Sequence, residues 1–307
     1  MKTTTTMIKK LWIWFFGLFL VAVYGYVIYQ LITFQYYDTL LERMSHLTIK
    51  KIAALVLVLL LSPCAAFVEA HRWQVAMRGT SHLTLREALV HILNGWAAAL
   101  ITPFRAGEIP ARALSAEAGS RWQALTNATL CSLVQTLVII SIGIWPAILW
   151  GQLSVADTRY YFIAWIGVIV LWLAFRPLCQ LIYQSTKIAF LKKICEAGVF
   201  TTWSNYLRTL ALTLIRYSIF CAQLFMMIRF MGVGITIEDA FIFIPTYYLL
   251  ITLTPGAAIA DAGIRGAWAA LIFAPLTTTP QLCIIAAVAL WMINNFIPLI
   301  ALPWLKK

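Results

Sequence analysis

Charge is what this sequence has least of. Only 11% of its 307 residues are Asp, Glu, Lys or Arg, where soluble chains run near 25%. The shortage falls on the acids, with 11 Asp and Glu against 23 Lys and Arg. A chain so poor in charge cannot clothe a soluble domain. Histidine is scarce too, at four residues, and His71 and His82 stand too far apart for a compact helical metal site. The six cysteines, Cys64, Cys131, Cys179, Cys195, Cys221 and Cys283, are scattered singly. Without a C-x-x-C pair they read as packing residues rather than redox or metal groups. No Ser/His, Cys/His or paired-carboxylate spacing supports catalysis. The chain therefore reads as no enzyme, with no metal and no cofactor.

What is present is apolar: 62% hydrophobic residues and a mean hydropathy of +0.86. An all-α integral membrane protein follows. The net charge of +12 then reads as positive-inside loops and affinity for anionic lipid, not as a nucleic-acid surface. Apolar runs at about 11–34, 52–68, 125–150, 160–183, 207–231 and 282–302 predict six full spans. The first is too long for a signal-peptide core and has no small-residue cleavage site, so it reads as a retained span. Two further apolar arms, 88–101 and 240–253, fall short of the roughly 20 residues needed to cross hydrocarbon.

Both short arms end in the same kind of motif. The first is Leu100-Ile-Thr-Pro-Phe-Arg-Ala-Gly-Glu-Ile-Pro-Ala-Arg-Ala113, and the second is Leu253-Thr-Pro-Gly-Ala-Ala-Ile-Ala-Asp-Ala-Gly-Ile-Arg-Gly-Ala267. Pro103 and Pro255 disfavour helix in the residue before them and supply no amide donor, so each arm must break there. Glu108 with Arg112, and Asp261 with Arg265, are four residues apart and share a helical face. Each motif predicts a helix, a break and a return arm, about 108–118 and 258–273. The halves 11–150 and 160–303 thus repeat within one polytopic domain, 1–307. Three full crossings per half invert the second copy, giving six spans and two re-entrant hairpins.

Loop charge supports the same topology. With the amino terminus in the cytoplasm, inner segments collect Lys2, Lys9, Lys10, Arg72, Arg78, Arg86, Arg121, Lys187, Lys192, Lys193, Arg208, Lys306 and Lys307. Outer segments collect only Arg43, Lys50, Lys51 and Arg159. Both termini are expected inside, in a bacterial cytoplasmic membrane, and the two breaks are expected to meet near mid-bilayer.

Non-helical backbone at that depth is tolerated only inside protein or beside a water-filled cavity. Gly107, Gly256 and Gly263 permit close backbone approach. Arg105, Arg112 and Arg265 offer guanidinium groups suited to phosphate oxygens, with Arg216, inside the span at 207–231, as a further candidate. Glu108 and Asp261 are expected to hold an ammonium group or to carry protons. The plainer reading is that each acid neutralises its own arginine. Asn94 shares a face with His91 and is expected near the cavity mouth. Gln135, Asn127, Asn294 and Asn295 read as interhelical hydrogen-bonding groups. Glu69, His71 and Arg72 read as an interfacial cluster.

The order of a short apolar helix bearing Asn94, then Pro103-Phe-Arg-Ala-Gly-Glu108 and Arg112, then a late Thr-Pro-Gly-Ala-Ala segment leading to Asp261 and Gly263, resembles the transmembrane domain of lysylphosphatidylglycerol synthases. The resemblance implies an inverted-repeat bundle that moves lipids between leaflets. It carries over to Pro103, Arg105, Gly107, Glu108, Arg112, Pro255, Gly256, Asp261 and Gly263. The chain ends at Lys307 after its last span, so the expectation is a stand-alone, flippase-like member without the synthase domain. Its cargo would be an anionic or aminoacylated phospholipid or a polyprenyl-type lipid. The expected partners are membrane lipids with anionic headgroups, with a homodimer as the assembly to test. A carrier of small soluble anions and a non-catalytic assembly partner are the alternatives.

Overall fold

The computed structural model describes residues 25–29, 32, 48–102, 105–150, 158–188, 192, 195, 202–254 and 258–306. Among them every regular element is helical and no strand occurs. The order is α1 (Ile49–Met77), α2 (Leu85–Ile101), α3 (Glu108–Leu114), α4 (Arg121–Trp150), α5 (Thr158–Ser185), α6 (Trp203–Phe230), α7 (Ile237–Leu253), α8 (Ala258–Phe273), α9 (Gln281–Ile300) and α10 (Leu302–Leu305). Five stretches are long and apolar enough to cross a membrane: Ile49–Met77, Ala118–Trp150, Trp165–Ser185, Trp203–Phe230 and Gln281–Leu305. The protein is an all-α, multi-pass membrane protein. Most of the expected first span falls outside the described residues, although Val27, in the helical segment 25–29, packs against Ala270 and Ile284.

The exterior follows from the same composition. Leu57, Leu60, Ile166, Val170, Leu173, Leu181 and Ile215 all lie exposed, a display that water would penalise and lipid tails accept. Inside, α1 packs chiefly on α6, and α4 on α7. One apolar core joins α4, α6, α7, α8 and α9 around Tyr247, Phe273, Leu224 and Ile228. A second joins α1, α2 and the start of α4 around Trp73, Met77, Ile92 and Trp96.

Helix α1 runs on to Met77, well past the expected end at 68. Glu69, His71 and Arg72 are thus helical. Glu69 and Arg72 are buried at 0% and 2% exposure, which corrects the interfacial reading. Arg72 also leaves the inner-loop charge tally.

The two short arms match in construction. Each is 17 residues long and starts with a capping box, Thr84 with Glu87 and Thr236 with Asp239. Each stops at a threonine before a proline, and each is followed by a helix that folds back beside it. In the first pair, Asn94 Nδ2 donates to Ser115 Oγ at 3.0 Å. In the second, Trp268 Nε1 donates to Thr254 Oγ1 at 2.9 Å and Phe273 stacks on Phe243. Pro103, Pro255 and Gly256 lie outside the described residues.

Close approach between α2 and α3 depends on Gly95. A Cβ there would sit 2.8 Å from Arg112 Cγ and 3.0 Å from the Glu108 carbonyl oxygen. Alanine is the better helix former by about 1 kcal/mol, yet the displaced contact belongs to a backbone carbonyl and to the stem of an anchored arginine. Gly95→Ala should therefore destabilise by about 1–3 kcal/mol. Gly167→Ala in α5, which meets nothing within 4 Å, should stabilise slightly. Thermal unfolding of both variants in detergent checks the pair of signs.

The capping carboxylates titrate. Backbone and side-chain hydrogen bonds from Thr84 hold Glu87 below its ordinary 4.5, and those of Thr236 hold Asp239 below 3.8. Both stand at exposed helix starts outside the five spans. A carboxylate depressed by folding adds stability above its unfolded value, and that stability is lost as pH falls through the folded value. The unfolding midpoint should fall on acidification below about pH 4.5. In the double variant Glu87→Gln, Asp239→Asn that slope should flatten.

Candidate functional site

The two sequence motifs meet. Arg105 Nη1, just past the first break, lies 4.0 Å from Asp261 Oδ2 in the first turn of α8. Each motif also forms its internal pair. Arg112 Nη2 donates to Glu108 Oε1 at 2.7 Å, and Arg265 Nε to Asp261 Oδ1 at 3.1 Å. The four-residue spacing does what helical geometry predicts. Arg105 reaches Glu108 as well, with Nη2 to Oε2 at 3.1 Å.

Arg105 has φ +54°, the one positive value outside glycine among the described residues. Left-handed backbone at a long side chain is uncommon, and such strain concentrates at functional positions. Gly107 has an ordinary φ of −75°. It is required for space instead, because a Cβ would sit 2.8 Å from Thr102 Oγ1. The same hydroxyl accepts the Gly107 N–H at 2.9 Å, so a threonine side chain secures the broken backbone.

Beneath these motifs lies a charge hub that sequence reasoning missed. Glu69 Oε1 accepts from Arg72 Nη2 and from Arg112 Nη1, both at 2.8 Å. Glu69 Oε2 lies 3.4 Å from Arg216 Nη1. One carboxylate therefore joins α1, α3 and α6. Gln135 Oε1 of α4 accepts from Arg72 at 3.2 Å and from Arg216 at 2.8 Å, while Thr213 accepts from Arg72 at 3.0 Å. Arg216 also lies over the rings of Phe220, at 4.9 Å, and Trp96, at 5.6 Å, as cation–π contact favours. Signals for this hub were present: Glu69 and Arg72 are three apart, on one helical face.

A cavity of about 670 Å³ opens among these groups. Arg72, Arg105, Glu108, Arg112, Arg216, Asp261 and Arg265 form its charged wall, with Trp291 and Asn295 beside them. Trp291 Nε1 donates to Asp261 Oδ2 at 2.7 Å. Val138, Ile139, Leu224, Ile251, Ala287 and Leu290 line the apolar part. Such a lining suits a guest with a charged end and an apolar body.

The expected residues divide by position. Arg105, Glu108, Arg112, Arg216, Asp261 and Arg265 all line the cavity. Asn94 does not: its amide is spent on Ser115, tying α2 to the end of α3. Gly107 and Gly263 lie outside the lining too, Gly263 buried within α8. His91 accepts from Trp73 Nε1 at 3.3 Å, a satisfied buried histidine. Asn294 exchanges hydrogen bonds with Gln223 at 3.0 and 3.1 Å, the expected interhelical role, and Asn127 reaches Thr80 at 3.4 Å. Gln135 instead belongs to the hub. The six cysteines are all free.

No family model matches the sequence, and no curated protein is significantly similar to it.

Accessibility separates two roles. The side chains of Glu69, Arg72 and Arg112 are 1%, 2% and 5% exposed, whereas those of Arg105 and Arg265 are 38% and 23% exposed. The inner three tie helices together, and the outer two stand open to the cavity. Glu69→Gln strips the shared carboxylate charge from buried guanidinium groups and should cost about 3–5 kcal/mol. Asp261→Asn, in a wetter pair, should cost about 1 kcal/mol or less. Unfolding midpoints of the two purified variants, compared with the unaltered chain, measure the contrast.

Proposed function

We propose that this protein is a lipid transporter of the flippase or scramblase kind, moving an anionic or aminoacylated phospholipid or a polyprenyl-type lipid between leaflets. The observation that carries the reading is the juxtaposition of Arg105 and Asp261, from breaks in opposite halves of the chain, at the wall of a cavity that is charged on one side and apolar on the other. In this reading α2–α3 and α7–α8 are re-entrant hairpins, related as inverted repeats and entering from opposite leaflets. Their breaks then present arginines to a headgroup near mid-bilayer, while the acyl chains stay with the lipid-facing exterior. The matched lengths, capping boxes and acid–arginine pairs of the two hairpins support the duplication. The resemblance of both motifs to the lysylphosphatidylglycerol synthase transmembrane domain supports a lipid cargo. The excess of basic residues in the expected inner loops supports cytoplasmic termini, and a bacterial inner membrane is the setting this reading assigns.

Arg265 and Arg105 are the residues assigned to headgroup contact, and the Glu69 hub to holding α3 in place. The test is leaflet exchange of fluorescent anionic phospholipid in vesicles containing the purified protein. Arg265→Ala should slow exchange by about 10- to 100-fold, the worth of one or two charge-assisted hydrogen bonds, with little loss of unfolding midpoint. An absence of protein-dependent exchange for phosphodiester, phosphomonoester and polyprenyl lipids alike would reject the lipid reading.

A further inference from the structure

Resting on that transport reading, we infer that the group this cavity selects is a phosphate monoester dianion, at the end of a lipid or as free phosphate, in preference to the singly charged phosphodiester of ordinary phospholipids. The balance of charge is the first ground. Five arginines line the cavity, Arg72, Arg105, Arg112, Arg216 and Arg265. Three carboxylates face them, Glu69, Glu108 and Asp261. Five cations less three anions leave a charge of +2 among the described residues. Each carboxylate is already shared: Glu69 serves three arginines, and Glu108 and Asp261 serve two each. Charge left over in a poorly solvated pocket is costly. A dianion cancels it, and a monoanion leaves half.

Hydrogen bonding is the second ground. The Nε groups of Arg72, Arg112 and Arg216 are buried without an acceptor, although buried donors are almost always satisfied. Arg72 and Arg112 are 2% and 5% exposed. Against these three donors stands one acceptor without a hydrogen bond, Glu69 Oε2, so the cluster remains short of acceptors where it is short of negative charge. A monoester brings three terminal oxygens and roughly −1.5 to −2 charge at neutral pH, where a diester brings two such oxygens and one charge. Arg105 and Arg265, the most open of the five, meet the group first.

Vesicles holding the full chain and three probes distinguish the sources: fluorescent phosphatidic acid as lipid monoester, fluorescent phosphatidylglycerol as diester, and labelled inorganic phosphate. At pH 8 phosphatidic acid should exchange about ten-fold faster than phosphatidylglycerol. The preference should shrink toward pH 5 as the monoester loses its second charge near pH 6. Arg265→Ala lowers the cluster to +1 and should bring the two lipids to similar rates. Phosphatidylglycerol exchanging as fast as phosphatidic acid at pH 8, or a ratio indifferent to pH, would overturn the inference and leave lipid transport standing. Inorganic phosphate crossing while neither these lipids nor a polyprenyl lipid exchanges would uphold the dianion and reject the lipid reading. If none of the three moves, the dianion inference falls, and the lipid reading falls with it when polyprenyl lipid fails to exchange as well.

Discussion

One carboxylate governs this structure. Glu69 is buried to 0% and grips guanidinium groups from three helices. In a membrane protein the hydrophobic effect gives helices little reason to prefer one another over lipid, so specific packing and polar contacts must set their arrangement. A charge buried alone would be prohibitive, and the hub answers with three partners and with Gln135 and Thr213 as further acceptors. The cost of leaving any partner unpaired helps to fix α1, α3 and α6 relative to one another.

From that fixed point the cavity follows. Arg112 is shared between Glu69 and Glu108, so the buried hub continues directly into the first motif. Arg105 carries the chain of charge across to Asp261, and Trp291 of α9 closes on the same carboxylate. Exposure is thus graded along one connected network, from a dry interior to a half-open rim. The acids in that network keep the arginines from repelling one another, and a single further anion would compete for the outermost of them.

Much of this was legible from residue order. Thr102-Pro103 and Thr254-Pro255 stop α2 and α7 where proline chemistry says they must, and the return arm Ala258–Phe273 matches its expected bounds. The two acid–arginine pairs form at the spacing that suggested them. What hid was the end of α1. A hydropathy reading stops at the first charges, and Glu69, His71 and Arg72 look like a loop until their partners, over a hundred residues away in the case of Arg216, are known. Two local signals pointed the other way: the three-residue acid–base step, and the Thr84–Glu87 capping box that sets the true start of α2. Asn94 misled for a related reason, since a polar residue on an apolar helix marks a partner without naming which.

The shortness of α3 has its own meaning. Seven residues are too few to hold a helix in isolation, where about 12–15 are marginal. Its form is borrowed from Gly95, which lets it lie flat on α2, and from the arginine that moors its far turn to Glu69. Such a piece cannot swing as a rigid lever. If a guest ever draws Arg112 from its mooring, the arm should uncoil in place, making this segment a fuse rather than a hinge.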